Sequence, residues 1–221
     1  MKLLNVMKAH SAWLFDLQDL NPRGKSIFPD LIDWLKEEYH FSKFPKSVSD
    51  LDPTTKALVF TGGEFMVEEE IFKSVDLTIY NDGLVANTLS STKDTDAFLE
   101  RVLSSASKEW SLAYTPEMIR RSLYISEVNV RLEGSLSKLS PQLVQFTSKI
   151  SSAVSEDLKS PFEFSGISFG TDPFMQFPQT SGFAVERKIG APFSENRYYS
   201  KAPLQTERHL ELLADLEKFM T

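Results

Sequence analysis

The tripeptide Asn81-Asp82-Gly83 separates two runs, 75–80 and 84–89, in which apolar side chains alternate. A period of two marks a half-buried strand. Asp-Gly between two such runs supplies the positive φ angles of a tight, two-residue type I′ turn. The segment is therefore expected to form a β-hairpin, which commits this part of the chain to an antiparallel sheet. A sheet must cover at least one face. The next segment can do so. Phe98, Leu99, Val102, Leu103, Ala106 and Trp110 recur at three and four, predicting a helix over 96–110 with Thr95 as its cap.

The rest of the chain repeats this alternation of strand and helix patterns. Residues 11–17 read as a strand with Trp13, Phe15 and Leu17 on one face, and Asn21-Pro22-Arg23-Gly24 as a turn. A helix over 28–39 follows, with Pro29 in its first turn. Residues 57–67 read as a strand, and Gly62-Gly63 predicts a bulge within it. Thr115-Pro116-Glu117 opens a short helix, and 123–132 alternates again. Ser140-Pro141 opens a longer helix to about 158, carried by Leu143, Val144, Phe146, Ile150 and Val154. Phe162, Phe164, Ile167 and Phe169 mark a strand, 183–189 another and 196–200 a short extension. Thr206 caps a final helix over 207–220. Helices inserted between hairpin-type strands give an α+β fold, a mainly antiparallel mixed sheet with amphipathic helices packed on it. The expectation is one domain over 1–221, with the best boundary signal in the polar, proline-containing loop 42–55.

Composition narrows the chemistry. Cysteine is absent from the 221 residues, which removes disulfides, thiolate nucleophiles and Cys-ligated metal. Asp and Glu outnumber Lys and Arg 31 to 24, for a net charge of −7. Proteins that coat nucleic acid carry the opposite balance, so nucleic acid is not the expected partner. No run of 18 apolar residues occurs, and Asn5 and Lys8 interrupt the apolar start of the chain. Neither a membrane span nor a secretory leader is expected, and the default location is cytoplasmic.

Several short patterns carry candidate chemistry. Gly24-Lys25-Ser26 matches the end of a phosphate-binding loop, but the glycine needed five residues earlier is Asp19, and Pro22 removes a backbone N–H. A plain turn is the expectation there. His10, His40 and His209 are the only histidines and none has another nearby, so no sequence-local metal site is expected. Asp172 followed by Glu186-Arg187-Lys188 resembles the Asp…Glu-x-Lys pattern of magnesium-dependent nucleases of the restriction-endonuclease type. There, two carboxylates hold a hard cation and a lysine steadies phosphate charge. Against it, Pro173 follows the aspartate where the nuclease pattern has proline before it.

The segment 187–208 interleaves Arg187, Lys188, Arg197, Lys201 and Arg208 with Phe193, Tyr198 and Tyr199. Arg and Tyr are typical anchors of protein interfaces. There are 17 phenylalanines, with clusters at 41–44 and 174–177. The sequence therefore favours a non-catalytic subunit or adaptor of a cytoplasmic protein assembly, or a homo-oligomer. Its expected contact residues are Phe174, Phe177, Arg197, Tyr198 and Tyr199, and it needs no cofactor. The alternative is a nuclease that uses Mg²⁺ with Asp172, Glu186 and Lys188.

Overall fold

The structure is a computed structural model. It describes residues 1–24, 27–47, 57–68, 70–154, 161–172, 174 and 181–220, with Phe28 and Glu68 described by backbone alone. Its strands are β1 (Lys2–Leu14), β2 (Leu58–Glu68), β3 (Ile71–Tyr80), β4 (Gly83–Thr88), β5 (Arg121–Arg131), β6 (Gly166–Phe169), β7 (Phe183–Arg187) and β8 (Arg197–Ala202). They form one eight-stranded antiparallel sheet in the order β2-β3-β4-β1-β5-β8-β7-β6. The helices are α1 (Leu17–Leu20), α2 (Phe28–Tyr39), α3 (Thr92–Trp110), α4 (Pro141–Val154) and α5 (Thr206–Lys218). This is the α+β fold expected from the sequence.

Two compact units divide the chain. The hairpin unit holds residues 7–126 and 204–206, and the terminal unit holds 1–6, 127–203 and 207–221. In the hairpin unit, β3 and β4 pair from Val75–Thr88 to Tyr80–Gly83, so the loop is Asn81-Asp82. Neither loop residue has a positive φ, so the turn is not the type I′ expected. Gly83 is needed for a different reason. A side chain there would run into the Trp13 carbonyl oxygen, because β1 passes directly beside it. The bulge at Gly62-Gly63 is present as a register shift between Phe60 and Gly63. Gly62 has φ +65 and donates its N–H to Asp76 Oδ1 at 2.8 Å. Thr61, just before the bulge, forms an isolated antiparallel bridge with Lys43.

Helices α2 and α3 bury their apolar stripes in this unit. Ser91, not Thr95, caps α3 by accepting from Asp94 N at 3.2 Å. Thr95 is buried instead, 2.6 Å from Ser11 Oγ. The core combines aliphatic residues with aromatic rings meeting edge-on, Tyr39 against Phe98 at 4.9 Å and Trp34 against Trp110 at 5.5 Å. Phe41, expected in an exposed aromatic loop, is part of this core, and Phe44 packs partly buried against it.

The terminal unit has a smaller core of Val128, Val130, Leu132, Leu136, Val185, Tyr198, Leu213 and Met220. Strand β1 begins at Lys2, nine residues before the strand read from the sequence. Asn5 sits in it because Asn129 Nδ2 donates to Asn5 Oδ1 at 3.1 Å, so the polar side chain has a cross-strand partner. Leu17, assigned to that strand from sequence, begins α1 instead.

Candidate functional site

The candidates Asp172, Glu186 and Lys188 fall on the terminal unit, whereas Lys25 and Ser26 of the Gly24-Lys25-Ser26 turn lie outside the described residues. Asp172 is exposed, and its Oδ1 accepts the Phe174 N–H at 2.9 Å, a local turn contact. Glu186 is exposed on β7, opposite Gly166 of β6 and Tyr199 of β8. Lys188 lies just beyond β7, and its Nζ donates to Asn129 Oδ1 at 3.0 Å. Among the described residues, no hydrogen bond or ion pair joins Asp172, Glu186 and Lys188 to one another. Nor does any group of three or more His, Asp and Glu side chains there gather as a metal site would need.

The expected contact residues also divide. Phe174 is 95% exposed, as a partner-facing side chain would be. Phe177 lies outside the described residues. Arg197 is half-exposed and pairs with Glu195 at 3.4 Å. Tyr199 donates its hydroxyl to Glu127 Oε2 at 2.7 Å. Burial, the Glu127 hydrogen bond and the charges of Glu127 and Glu186 push that phenol up from its ordinary value. Tyr198 is fully buried, and its hydroxyl accepts the Leu136 N–H at 3.2 Å. It serves the core, not a surface. Alternation along β8 explains the split, since neighbours on a strand point to opposite faces.

Arg187 is the buried cation of this unit. Its guanidinium donates to Phe193 O at 2.6 Å, Asn196 Oδ1 at 3.2 Å and Ser135 Oγ at 2.7 Å. It also lies over the Phe193 and Tyr198 rings at 4.7 and 4.9 Å. Among the described residues no carboxylate pairs with it. Ring faces and neutral acceptors offset the charge instead.

The three histidines have separate placements. His10 Nδ1 lies 2.8 Å from Asn87 Oδ1, and burial lowers its pKa despite that bond. His40 ends α2 in a left-handed conformation, φ 52. His209 is fully buried with Nε2 2.8 Å from Ser200 Oγ. Ser200 donates to Ala184 O at 2.7 Å, which leaves the imidazole to donate and its Nδ1 as an unpartnered acceptor. Burial lowers its pKa to about 4. With no access from solvent, this Ser–His pair is packing rather than a nucleophile and its base. In the hairpin unit, Asp96 was not singled out by sequence. Its carboxyl accepts from Trp13 Nε1 at 3.0 Å, and burial raises its pKa against hydrogen bonds from Ser11, Trp13, Tyr124 and Gln205.

The feature the structure adds is α4. It is expected from the sequence as an ordinary amphipathic helix, yet none of its residues is buried. Ser140 caps it by accepting from Leu143 N at 3.3 Å. Thr147, Ser148, Ser151 and Ser152 turn their hydroxyls back onto carbonyls three or four residues earlier. Its polar side is thereby satisfied within the helix. Its apolar side is open: Leu143 is 42%, Phe146 58% and Val154 50% exposed. Lys149 is the only ionisable side chain it carries. A strong periodic pattern revealed the helix, but periodicity says nothing about whether the stripe finds a partner.

Among the described residues, no helix is long and apolar enough to cross a membrane. No protein-family model, no curated protein and no solved structure matches the chain.

Proposed function

We propose that the chain is a non-catalytic subunit or adaptor of a cytoplasmic protein assembly, with α4 as its docking element. The observation that carries this reading is the open stripe of Leu143, Phe146 and Val154 on a helix that buries none of its own residues. A 14-residue helix with little tertiary packing is marginal in water, because propagation barely offsets nucleation. Fully burying a Leu, Val or Phe side chain is worth about 1.5–3 kcal/mol, so covering the stripe recovers several kcal/mol. Anchors spaced at three and four suit insertion into an apolar groove or pairing with a second helix. With Lys149 as the only charge, the fitting partner surface is apolar and weakly charged. Phe174 adds a second exposed aromatic in the same unit.

The test is quantitative affinity purification of the full chain from cells, with Phe146→Asp beside wild type and Lys188→Ala as a control. A protein enriched on wild type and Lys188→Ala, but lost on Phe146→Asp, supports the reading. Self-association lost on Phe146→Asp would make the partner a second copy and overturn the adaptor role. Magnesium-dependent cleavage of nucleic acid that disappears with Glu186→Ala would overturn the non-catalytic role.

A further inference from the structure

The hairpin unit contains a cavity of about 1180 Å³ that the proposed docking role does not use. Its floor is apolar. Half-buried Leu14, Leu17, Leu31 and Leu112 open onto it, and the buried core residues Phe15, Leu35, Ile79, Leu84 and Leu103 back them. Its mouth is polar, and among the described lining residues it is acidic. Three carboxylates, Asp16, Asp19 and Asp82, stand against one cation, Arg120. Arg120 Nη2 is already paired with Asp19 Oδ2 at 3.0 Å. Asp16 Oδ1 is engaged only by the Gln18 N–H at 2.9 Å. Asp82 has no ion-pair partner among the described residues. Two backbone bonds, Phe15 N to Asp82 O at 3.0 Å and Leu17 N to Asn81 O at 3.1 Å, clasp the segment carrying Asp16 against the turn carrying Asp82. The two uncompensated carboxylates therefore belong to one rim.

We infer that this cavity binds a small amphipathic cation, with its aliphatic or aromatic body against Leu14, Leu17, Leu31 and Leu112 and its ammonium head at Asp16 and Asp82. A pocket that is apolar inside, with a few convergent polar groups, is the usual form of a small-molecule site. The charge selects the head group. An anionic head would meet two unpaired carboxylates, whereas a cation neutralises them.

The probe is dodecyltrimethylammonium, titrated below its micelle-forming concentration into the full chain by calorimetry. Dodecanoate is the anionic comparison. A diazirine-bearing dodecylamine maps the location by cross-linking and peptide mass spectrometry. Expected results are cation binding at least tenfold tighter than dodecanoate and five- to tenfold weaker binding in Asp82→Asn. Asp33→Asn removes the same charge from the exposed side of α2 and should leave affinity unchanged. Cross-links should fall within residues 14–24, 79–84 and 102–112. Dodecanoate binding as tightly as the cation would overturn the inference, as would equal losses in Asp82→Asn and Asp33→Asn. So would cross-links concentrated on α4. Asp82 is in an exposed turn and its substitution spares the fold, so no detectable binding by wild type would also overturn it. None of these outcomes bears on α4 as a protein-docking element, because the mapped regions differ.

Discussion

The hairpin unit and the terminal unit reach their cores by different means. In the first, two helices lay aromatic and aliphatic side chains against the strands, with Tyr39 edge-on to Phe98 at 4.9 Å and Phe65 tilted against Phe98 at 5.3 Å. Burial there is close to self-sufficient. In the second, eight fully buried apolar residues share the interior with Arg187, Ser200, His209 and the Tyr198 hydroxyl. Buried polar groups hold position only while each keeps its partners. The terminal unit also leaves α4 uncovered. The terminal unit rests on a few directional contacts and exposes an apolar helix face, the feature on which the proposed docking role stands.

The largest test of this contrast is Phe98→Ala. Phe98 is wholly buried among rings, so the substitution should cost about 3–5 kcal/mol, read as the shift of the urea midpoint. A loss below about 1 kcal/mol would mean that the aromatic core is not what holds the hairpin unit together. Leu99→Ala, on the same face of α3, should cost about 2–5 kcal/mol.

Acid should act on the terminal unit through His209. Its folded pKa of about 4 lies below the ordinary 6.5, so the fold binds the neutral imidazole. Stability is complete above pH 6.5, declines as pH falls toward 4 and then levels, for a total of about 3 kcal/mol. Carboxylates titrate in the same range, so the measurement is the difference between wild type and His209→Gln in urea midpoints from pH 7.5 to 4. Parallel curves would show that the buried imidazole does not make this unit acid-sensitive.

Arg187→Met should cost about 2–3 kcal/mol, because it strands acceptors at Phe193, Asn196 and Ser135. A neutral or stabilising result would show that an apolar side chain serves the interior equally well, as happens for some buried ions. At the small end, Phe146→Ser should stay within about 0.5 kcal/mol of wild type, since the Phe146 side chain is mostly exposed. A loss above 1 kcal/mol would place its ring inside the isolated chain's core and remove the contrast.

Elements with a clean period were legible in the sequence. The hairpin, α2, α3 and α5 all stand where alternation or three-four spacing put them. Strand β1 was read too short because Asn5 and Lys8 look like interruptions. Asn5 is tolerated by Asn129, 124 residues away, and no local pattern reports such a partner. The pairs that organise the terminal unit, Arg187 with Ser135 and Lys188 with Asn129, are likewise joined only by the fold. Glu186 and Lys188 stand two apart in the sequence, and the Lys188 ammonium is committed to Asn129. Tyr198 and Tyr199 look alike in sequence, and only the register of β8 on its neighbours decides which is buried. The cavity was invisible for the same reason. Its walls come from β1, α1, α2, the Asn81-Asp82 turn and α3.

The two outer strands of the sheet bear on how the chain behaves when crowded. An uncovered strand edge invites another molecule to continue the ladder, the first step toward ordered aggregates. Strand β2 is interrupted at that edge by the Gly62 bulge, and Lys43 occupies part of it through its bridge to Thr61. Strand β6, at the other end, is only four residues long and begins with Gly166, where an added side chain would meet the Val185 carbonyl oxygen at 2.9 Å. Among the described residues, neither edge presents a long uninterrupted row of open N–H and C=O groups, which blunts growth of the ladder by strand addition.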